Sequence, residues 1–178
     1  MAKVIIGIGL PGSGKSNVLG AFAESYGYEY IPLDQIRKEL GIGEGQNSTN
    51  EVLREVVART LAFYKEGKTV VVDGTFLNYM RKKFIHTIRE GGAQKIQGMF
   101  IDTPKDMAWD RAQIREKDWE DKTPRSLFEE RVRHKEAFPP SVTDDFDALF
   151  TLDENGTMKK VDLKEGLTRE FTNKSFLR

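Results

Sequence analysis

The stretch Val4-Ile5-Ile6-Gly7-Ile8-Gly9-Leu10-Pro11-Gly12-Ser13-Gly14-Lys15-Ser16 decides the fold of this chain. Its first part, residues 4–8, is a short apolar run that predicts a buried parallel strand. Its second part, residues 9–16, matches the pattern G-x-x-x-x-G-K-S/T in full. Apolar residues then recur at helical spacing over 16–25. A strand, a glycine-rich turn and a helix in this order predict a phosphate-binding loop.

Each residue type in this loop suits the binding of a nucleoside triphosphate. The glycines let backbone N–H groups turn inward and approach phosphate oxygens closely. The ammonium group of Lys15 can reach the β- and γ-phosphates, and the Ser16 hydroxyl can ligate Mg²⁺. The positive end of the following helix points at the same anion. We therefore expect ATP and Mg²⁺ as cofactors, with Ser16 as the metal ligand. The expected ATP site contains Gly9, Pro11, Gly12, Ser13, Gly14, Lys15 and Ser16.

The rest of the chain alternates between strand and helix patterns. Strands are predicted over 28–33, 69–72, 95–101 and 148–152, and helices over 36–40, 52–64, 78–89, 105–117 and 125–136. Asn155-Gly156, before the strand pattern at 158–163, predicts a C-terminal hairpin. The prediction is an α/β protein with the P-loop NTPase or kinase fold, in which a parallel β-sheet of about five strands is flanked by helices. We expect one domain over 1–178, with a helical lid at 104–136.

The composition excludes several classes of function. The 28 Lys and Arg residues balance 28 Asp and Glu residues, so no overall basic field favours nucleic acid. Because the chain has no cysteine, disulfides, thiol catalysis and cysteine zinc sites are excluded. No run approaches the roughly 20 apolar residues of a membrane span. We therefore expect a cytoplasmic protein without a membrane partner, and leave its oligomeric state open, a homo-oligomer included.

Two residues after the second predicted strand are candidates for an acceptor site, because ligands bind beyond the carboxyl ends of parallel strands. Asp34 and Arg37 are spaced to share one helix face. The carboxylate could take a proton from an attacking hydroxyl, and the guanidinium could hold a phosphate of the acceptor. The alternative is that Asp34 caps the helix and Arg37 pairs with a surface acid. Beside a phosphate loop we favour the catalytic interpretation.

The third predicted strand contributes two more candidates, Asp73 at its end and Thr75 just beyond it. Asp73 could organise Mg²⁺ through water, or could accept a hydrogen bond from Arg37 and fix its side chain. On the helix that follows, the run Arg81-Lys82-Lys83 predicts a solvated face. We therefore expect Asp73 and Thr75, but not this basic run, to line the acceptor site.

Two arginines on a charged helix could complete the catalytic site. Arg111 and Arg115 lie four residues apart, ahead of a polar stretch at 117–124. A segment of this kind could close over ATP and bring an arginine to the transferring phosphoryl group. The alternative is a solvated helix face with ion pairs between residues four apart.

Together these pieces resemble the P-loop 5′-hydroxyl polynucleotide kinases of phage and related repair proteins. The similarity covers residues 3–152 and consists of motifs in the family's order. They are G-x-P-G-S-G-K-S at 9–16, D-x-x-R from Asp34 to Arg37, Asp73 at a strand end, and R-x-x-x-R from Arg111 to Arg115. The resemblance implies transfer of the ATP γ-phosphate to the 5′-hydroxyl of DNA or RNA in end repair. It also implies a nucleic acid partner and a phage-encoded protein that acts in the host cytoplasm.

The resemblance implies a role for each matching residue outside the phosphate loop. Asp34 would be the general base for the 5′-hydroxyl. Arg37 would grip the phosphate 3′ to the acceptor nucleotide, and Asp73 would help to shape the acceptor site and position Arg37. Arg115, with Arg111 nearby, would be the lid arginine that contacts the transferred phosphate.

Two other classes of function stay open. A small-molecule P-loop kinase for a nucleoside, a sugar or, like the zeta toxins, a nucleotide sugar would share the phosphate loop and an acid after the second strand. A nucleotide-dependent binding module would have no acceptor chemistry, and Asp34 argues against it because a module needs no base. The favoured mechanism is in-line transfer, in which Asp34 orients the hydroxyl while Lys15, Mg²⁺ and Arg115 stabilise the developing charge.

Overall fold

The computed structural model describes residues 1–42, 49–115 and 124–165. These residues build a six-stranded sheet in the order β2-β3-β1-β4-β5-β6. The strands are β1 Val4–Gly9, β2 Glu29–Pro32, β3 Val70–Asp73, β4 Ile96–Ile101, β5 Ala148–Leu152 and β6 Met158–Leu163. The first five pair in parallel, and β6 is antiparallel to β5. Both the parallel α/β prediction and the C-terminal hairpin are confirmed.

The three central strands are buried along their whole length. Strand β1 lies between β3 and β4, with Ile5 opposite both Val71 and Gln97. Parallel strands covered on both faces need nearly continuous apolar sequence, and this explains the runs Val-Ile-Ile and Val-Val-Val. Because the strands are parallel, the carboxyl ends of β1, β2 and β3 meet at one edge of the sheet.

Helices cover the two faces of the sheet. They are α1 Lys15–Tyr26, α2 Leu33–Glu39, α3 Thr49–Lys65, α4 Met80–Glu90, α5 Lys105–Arg115 and α6 Arg125–Ala137. On one face, α3, α4 and α6 contribute Val56, Phe84 and Phe128 to the larger core cluster. On the other face, α1 contributes Leu19, which packs so closely that a Cβ at Gly7 would lie 2.0 Å from its Cδ1. None of the described helices has the length and apolar character that crossing a membrane requires.

The alternative in which Asp34 caps the helix is wrong. Helix α2 begins directly after β2, at Leu33, and its N-cap residue is Pro32 with an extended backbone (φ −80°, ψ 122°). Leu33 packs so close to the next strand end that a Cβ at Gly74 would lie 2.8 Å from its Cδ2. Asp34 is therefore placed in the first turn, exposed, and no side chain caps this helix.

The prediction of a solvated face at 81–83 is also wrong for its first member. Arg81 is 1% exposed, and its Nη2 lies 2.7 Å from the Asp144 carboxylate. Its Nη1 donates to the carbonyl of Phe76 at 2.7 Å, and its Nη2 to that of Phe138 at 3.1 Å. Arg81 thus joins the loop after β3 to the segment that follows α6. Lys82 and Lys83 are exposed as expected.

Candidate functional site

The phosphate loop lies at the carboxyl end of β1 and leads directly into α1. Gly12 and Gly14 have φ angles of 76° and 85°, which glycine adopts without strain. Helix α1 has no side-chain cap and no acidic residue in its first turn. The amide groups of that turn have no partner within the helix, so they are available to an anion.

Helix α5 crosses directly over this loop. A Cβ at Gly12 would lie 2.0 Å from the carbonyl oxygen of Ala108, and a Cβ at Gly14 would lie 3.6 Å from Nη1 of Arg111. The hydroxyl of Thr103, which precedes α5, donates to the carbonyl of Ser13 at 2.8 Å. The structure therefore brings Arg111 to the phosphate loop. Arg115 ends the same helix, and its side chain lies outside the described part of the structure.

The turn between β5 and β6 approaches the loop from another direction. Its backbone is closed by Asp153, whose carboxylate accepts hydrogen bonds from the amides of Asn155 and Thr157 at 2.9 and 2.8 Å. The carbonyl oxygen of Glu154 would lie 3.5 Å from a Cβ at Gly14. The entrance to the phosphate loop is thus flanked by α5 and by this turn.

Asp73 at the end of β3 pairs with the lysine of the phosphate loop. Nζ of Lys15 lies 2.8 Å from Oδ1 of Asp73, and the Tyr30 hydroxyl donates to Oδ2 at 2.6 Å. The Tyr30 hydroxyl also lies 3.4 Å from the carbonyl oxygen of Ser16. The expected contact between Asp73 and Arg37 is not among the contacts of the described residues. The Asp73 carboxylate instead contacts Lys15 of the phosphate loop and the Tyr30 hydroxyl.

The electrostatics of this cluster keep Asp73 ionised and Tyr30 neutral. Burial of Asp73 opposes its charge, but the charge of Lys15 and hydrogen bonds from Lys15, Tyr30 and Ser16 outweigh burial and lower the pKa of this carboxyl below its ordinary value of 3.8. Burial, followed by the nearby charge of Asp73, raises the pKa of the Tyr30 phenol far above 10.0. Tyr30 is therefore a hydrogen-bond donor near neutral pH.

Asp34 and Arg37 lie on α2, at the edge where β2 ends. Asp34 is exposed and Arg37 is half-buried. The charge of Asp34 is close enough to contribute to the raised pKa of Tyr30. Tyr30 therefore lies near the candidate acceptor carboxylate, Asp34, as well as beside the carboxylate that holds Lys15.

Thr75 belongs to the loop that follows β3. Its carbonyl oxygen accepts a hydrogen bond from the amide of Gly9 at 3.2 Å, so it is joined to the start of the phosphate loop. The next residue, Phe76, has a positive φ of 41°. The sequence reasoning overlooked Tyr30, although one signal was present. A tyrosine in a short strand beside β3 has few partners for its hydroxyl except the polar residues at the strand ends.

The chemistry of these residues fits ATP and Mg²⁺. The uncapped helix start, Lys15 and the nearby guanidinium of Arg111 suit a polyphosphate. The Ser13 hydroxyl is buried without a hydrogen-bond partner. The Ser16 hydroxyl is close enough to Asp73 to help lower the pKa of its carboxyl, and together they offer oxygen atoms to a hard cation. Within the described residues no three His, Cys, Asp or Glu side chains form a cluster that could hold a metal ion.

The fold and this loop define a P-loop nucleotide-binding domain. The AAA domain family matches residues 4–138, a span that contains the phosphate loop, α2, Asp73 and α5. The chain therefore belongs to the AAA domain family.

Three known proteins show how far the similarity reaches. A Thermococcus gammatolerans protein named "Putative adenylate kinase" is 38% identical over 88 residues, which are 48% of this chain and 49% of that protein. The chain thus spans about half the length of the curated relative it matches. A sugar kinase from Janibacter sp. HTCC2649 has a TM-score of 0.63 and 18% identity, over 87% of each chain. A chain of the Pnkp1/Rnl/Hen1 RNA repair complex has a TM-score of 0.68 and 22% identity, over 93% of this chain and 50% of that chain. The two structural likenesses show the P-loop kinase fold.

Proposed function

We propose that this protein is an ATP-dependent phosphotransferase that moves the γ-phosphoryl group to the 5′-hydroxyl of a polynucleotide, DNA or RNA. The observation that carries the proposal is the placement of an exposed carboxylate, Asp34, and a half-buried arginine, Arg37, on the helix that follows β2. This helix begins at the same sheet edge as the phosphate loop. An acceptor with a hydroxyl next to a phosphodiester requires two groups beside the phosphate loop. One is a base for the hydroxyl, and the other is a cation for the phosphate.

The donor side of the proposed reaction uses residues that the fold already brings together. The loop amides and Lys15 would bind the phosphates of ATP, and Ser16 would hold Mg²⁺, with Asp73 beside it. When bound, the ion would neutralise charge that develops on the phosphates. Arg111 at the loop, and Arg115 one turn further along α5, would stabilise the transferring group. Helices α5 and α6, with Trp109 and Phe128 ring centroids 5.0 Å apart, would act as the lid.

The acceptor side depends on proton transfer. Asp34 would orient the 5′-hydroxyl and take its proton as the oxygen attacks phosphorus in line. Arg37 would hold the phosphate on the 3′ side of the acceptor nucleotide by bidentate hydrogen bonds. Thr75, on the loop joined to Gly9, would contact the same nucleotide. Because phosphate contacts would dominate binding, affinity for the acceptor should weaken with salt and depend little on base sequence.

A second candidate is phosphorylation of a nucleoside monophosphate, which the name of the Thermococcus relative favours. Such an acceptor attacks through a phosphate oxygen that carries no proton near neutral pH, so it needs no base. A carboxylate in the position of Asp34 would repel it. The exposed Asp34 therefore supports a hydroxyl acceptor over a phosphate acceptor.

Labelled ATP offered to four acceptors would test this choice. The acceptors are a 5′-hydroxyl oligonucleotide, a nucleoside 3′-monophosphate, a plain nucleoside and AMP. We expect the first two to be labelled and the last two not. Labelling of AMP alone would replace the proposal by the adenylate kinase reaction, and labelling of the plain nucleoside as well as the others would remove the role of Arg37.

Substitutions at α2 would assign the roles. Asp34→Asn should lower the transfer rate by about 10²–10⁴-fold, because it removes a general base while it keeps the shape of the side chain. Its affinity for ATP should stay within about twofold, since no donor-side contact changes. Glu24→Gln, an exposed acid on α1, serves as the control with unchanged turnover. Undiminished transfer by Asp34→Asn would show that Asp34 is not the base.

A further inference from the structure

Within the described residues, the hydroxyl of Tyr30 contacts two groups at the carboxyl edge of the sheet. Its O–H donates to Oδ2 of Asp73 at 2.6 Å and lies 3.4 Å from the carbonyl oxygen of Ser16. Both partners belong to the phosphate-loop side of the site. The other oxygen of the same carboxylate, Oδ1, lies 2.8 Å from Nζ of Lys15. Tyr30 and Lys15 therefore hold the two oxygens of one carboxylate.

The ring of Tyr30 and its hydroxyl have separable tasks. The ring packs against the core cluster on the α1 side of the sheet, and a Cβ at Gly20 would lie 3.9 Å from its Cζ. A phenylalanine would keep these contacts. The hydroxyl bonds to Asp73, which is 4% exposed, so little water can replace the lost donor. Removal of the hydroxyl would therefore free one oxygen of a buried carboxylate without disturbing the sheet.

We infer that Tyr30 is a positioning residue of the phosphoryl-donor site, and that it acts through Asp73 on Lys15 and on the Mg²⁺ site beside Ser16. With Oδ2 held by Tyr30, the carboxylate presents Oδ1 to the ammonium group of Lys15. Without the hydroxyl, the carboxylate can turn about its last side-chain torsion, which is broad for aspartate. Lys15 and Mg²⁺ then lose a fixed partner. This role concerns the donor and does not depend on which acceptor the protein uses.

The test is a cycle of three variants, Tyr30→Phe, Asp73→Asn and the double variant, with two readouts. The first is the Mg²⁺ concentration that gives half-maximal binding of a fluorescent ATP analogue, and the second is the rate of ATP turnover. Tyr30→Phe should raise the Mg²⁺ concentration for half-maximal binding, and lower the rate of ATP turnover, each by about 10–100-fold. This is the range for loss of a hydrogen bond to a charged group.

The cycle also shows whether Tyr30 acts through Asp73. In the Asp73→Asn background, Tyr30→Phe should change either readout by less than about twofold. The amide oxygen of asparagine can still accept the Tyr30 hydrogen bond, but the charge through which the residue acts on Lys15 is already gone. Tyr28→Phe removes a hydroxyl from the same strand region, where the ring stacks on Tyr26 with centroids 5.5 Å apart, and should leave both readouts unchanged. Additive losses in the double variant would overturn the inference.

Thermal unfolding separates this role from a structural one. Tyr30→Phe and Tyr28→Phe should melt within a few degrees of each other. A lower melting temperature of Tyr30→Phe with no change in Mg²⁺ dependence would reduce Tyr30 to a packing residue and overturn the inference. The binding readout needs no acceptor, so a failure of the polynucleotide proposal would leave this result intact, and a failure here would leave that proposal intact.

Discussion

Replacement of Gly12 by alanine would test whether α5 is seated on the phosphate loop. A Cβ at this position would lie 2.0 Å from the carbonyl oxygen of Ala108 and 2.8 Å from the backbone nitrogen of Ala112. Both atoms belong to helical backbone, so neither can rotate away as a side-chain end could. Gly12 also has a φ of 76°, a conformation that strains an L-residue. The substitution therefore combines backbone strain with a clash against α5.

Gly67 allows these two costs to be measured separately. It has a φ of 80°, close to that of Gly12, and nothing lies within 4 Å of a Cβ built on it. Gly67→Ala should lower the free energy of unfolding by about 1–2 kcal/mol, the cost of the left-handed conformation alone. Gly12→Ala should cost a further 1–3 kcal/mol or so, because the helix must shift as in an overpacked core. The difference between the variants reports the contact with α5.

Urea unfolding and titration with a fluorescent ATP analogue would provide the two readouts. We expect Gly12→Ala to weaken nucleotide binding at least about tenfold, which corresponds to about 1.4 kcal/mol, because the loop or the Arg111-bearing helix must move. Gly67→Ala should bind the analogue with the affinity of the unchanged protein, since Gly67 follows α3 at the other end of the sheet. Equal losses of stability in the two variants, with equal affinities, would refute the packing of α5 on the loop.

Two further predictions concern the buried charges. Arg81→Met should lower the free energy of unfolding by about 3–5 kcal/mol, because it leaves the Asp144 carboxylate buried without its main partner. The side chain of Lys82 is 63% exposed, so Lys82→Met should cost less than about 1 kcal/mol in the same urea experiment. Similar losses in the two variants would contradict this reasoning. The pKa of Asp73 is lowered below 3.8 by Lys15, so its ionised form stabilises the fold above that pH, and the gain is lost as the pH falls through the lowered value. The stability difference between the unchanged protein and Asp73→Asn should therefore shrink below about pH 4, and a constant difference down to pH 2 or so would show that folding does not lower the pKa of Asp73.

The elements of the fold follow closely from local sequence. Continuous apolar runs predict β1, β3 and β4, because a parallel strand covered on both faces must be apolar along its length. Asn155-Gly156 predicts the hairpin of β5 and β6, because a tight turn needs residues that tolerate positive φ, and Gly156 has a φ of 81°. The differences lie at helix starts, where α2 begins at Leu33 and α4 at Met80. At α2 the boundary accompanies the packing of Leu33 against the end of β3. At α4 the Asn78 side chain accepts a hydrogen bond from the amide of Met80 at 3.0 Å.

The phosphate loop is likewise a local property. Its glycines, lysine and serine are consecutive, so any chain that places them between a strand and a helix forms nearly the same geometry. The common edge for Asp34, Asp73 and the loop also follows from the pattern, since parallel strands end on the same side. The sequence is therefore sufficient to identify a nucleotide site and to say on which edge of the sheet an acceptor should bind.

The partners of the charged residues, in contrast, depend on tertiary contacts. Tyr30 meets Asp73 across 43 residues, Arg81 meets Asp144 across 63, and Thr103 meets Ser13 across 90. Spacing along the chain carries no information on such pairs, because strand order and helix packing decide them. Arg81 is an example, because the sequence pattern predicts an exposed residue, whereas in the fold its side chain is buried. Local sequence thus determines which groups this protein has at the carboxyl edge of its sheet, and the packing of distant segments determines which of them touch.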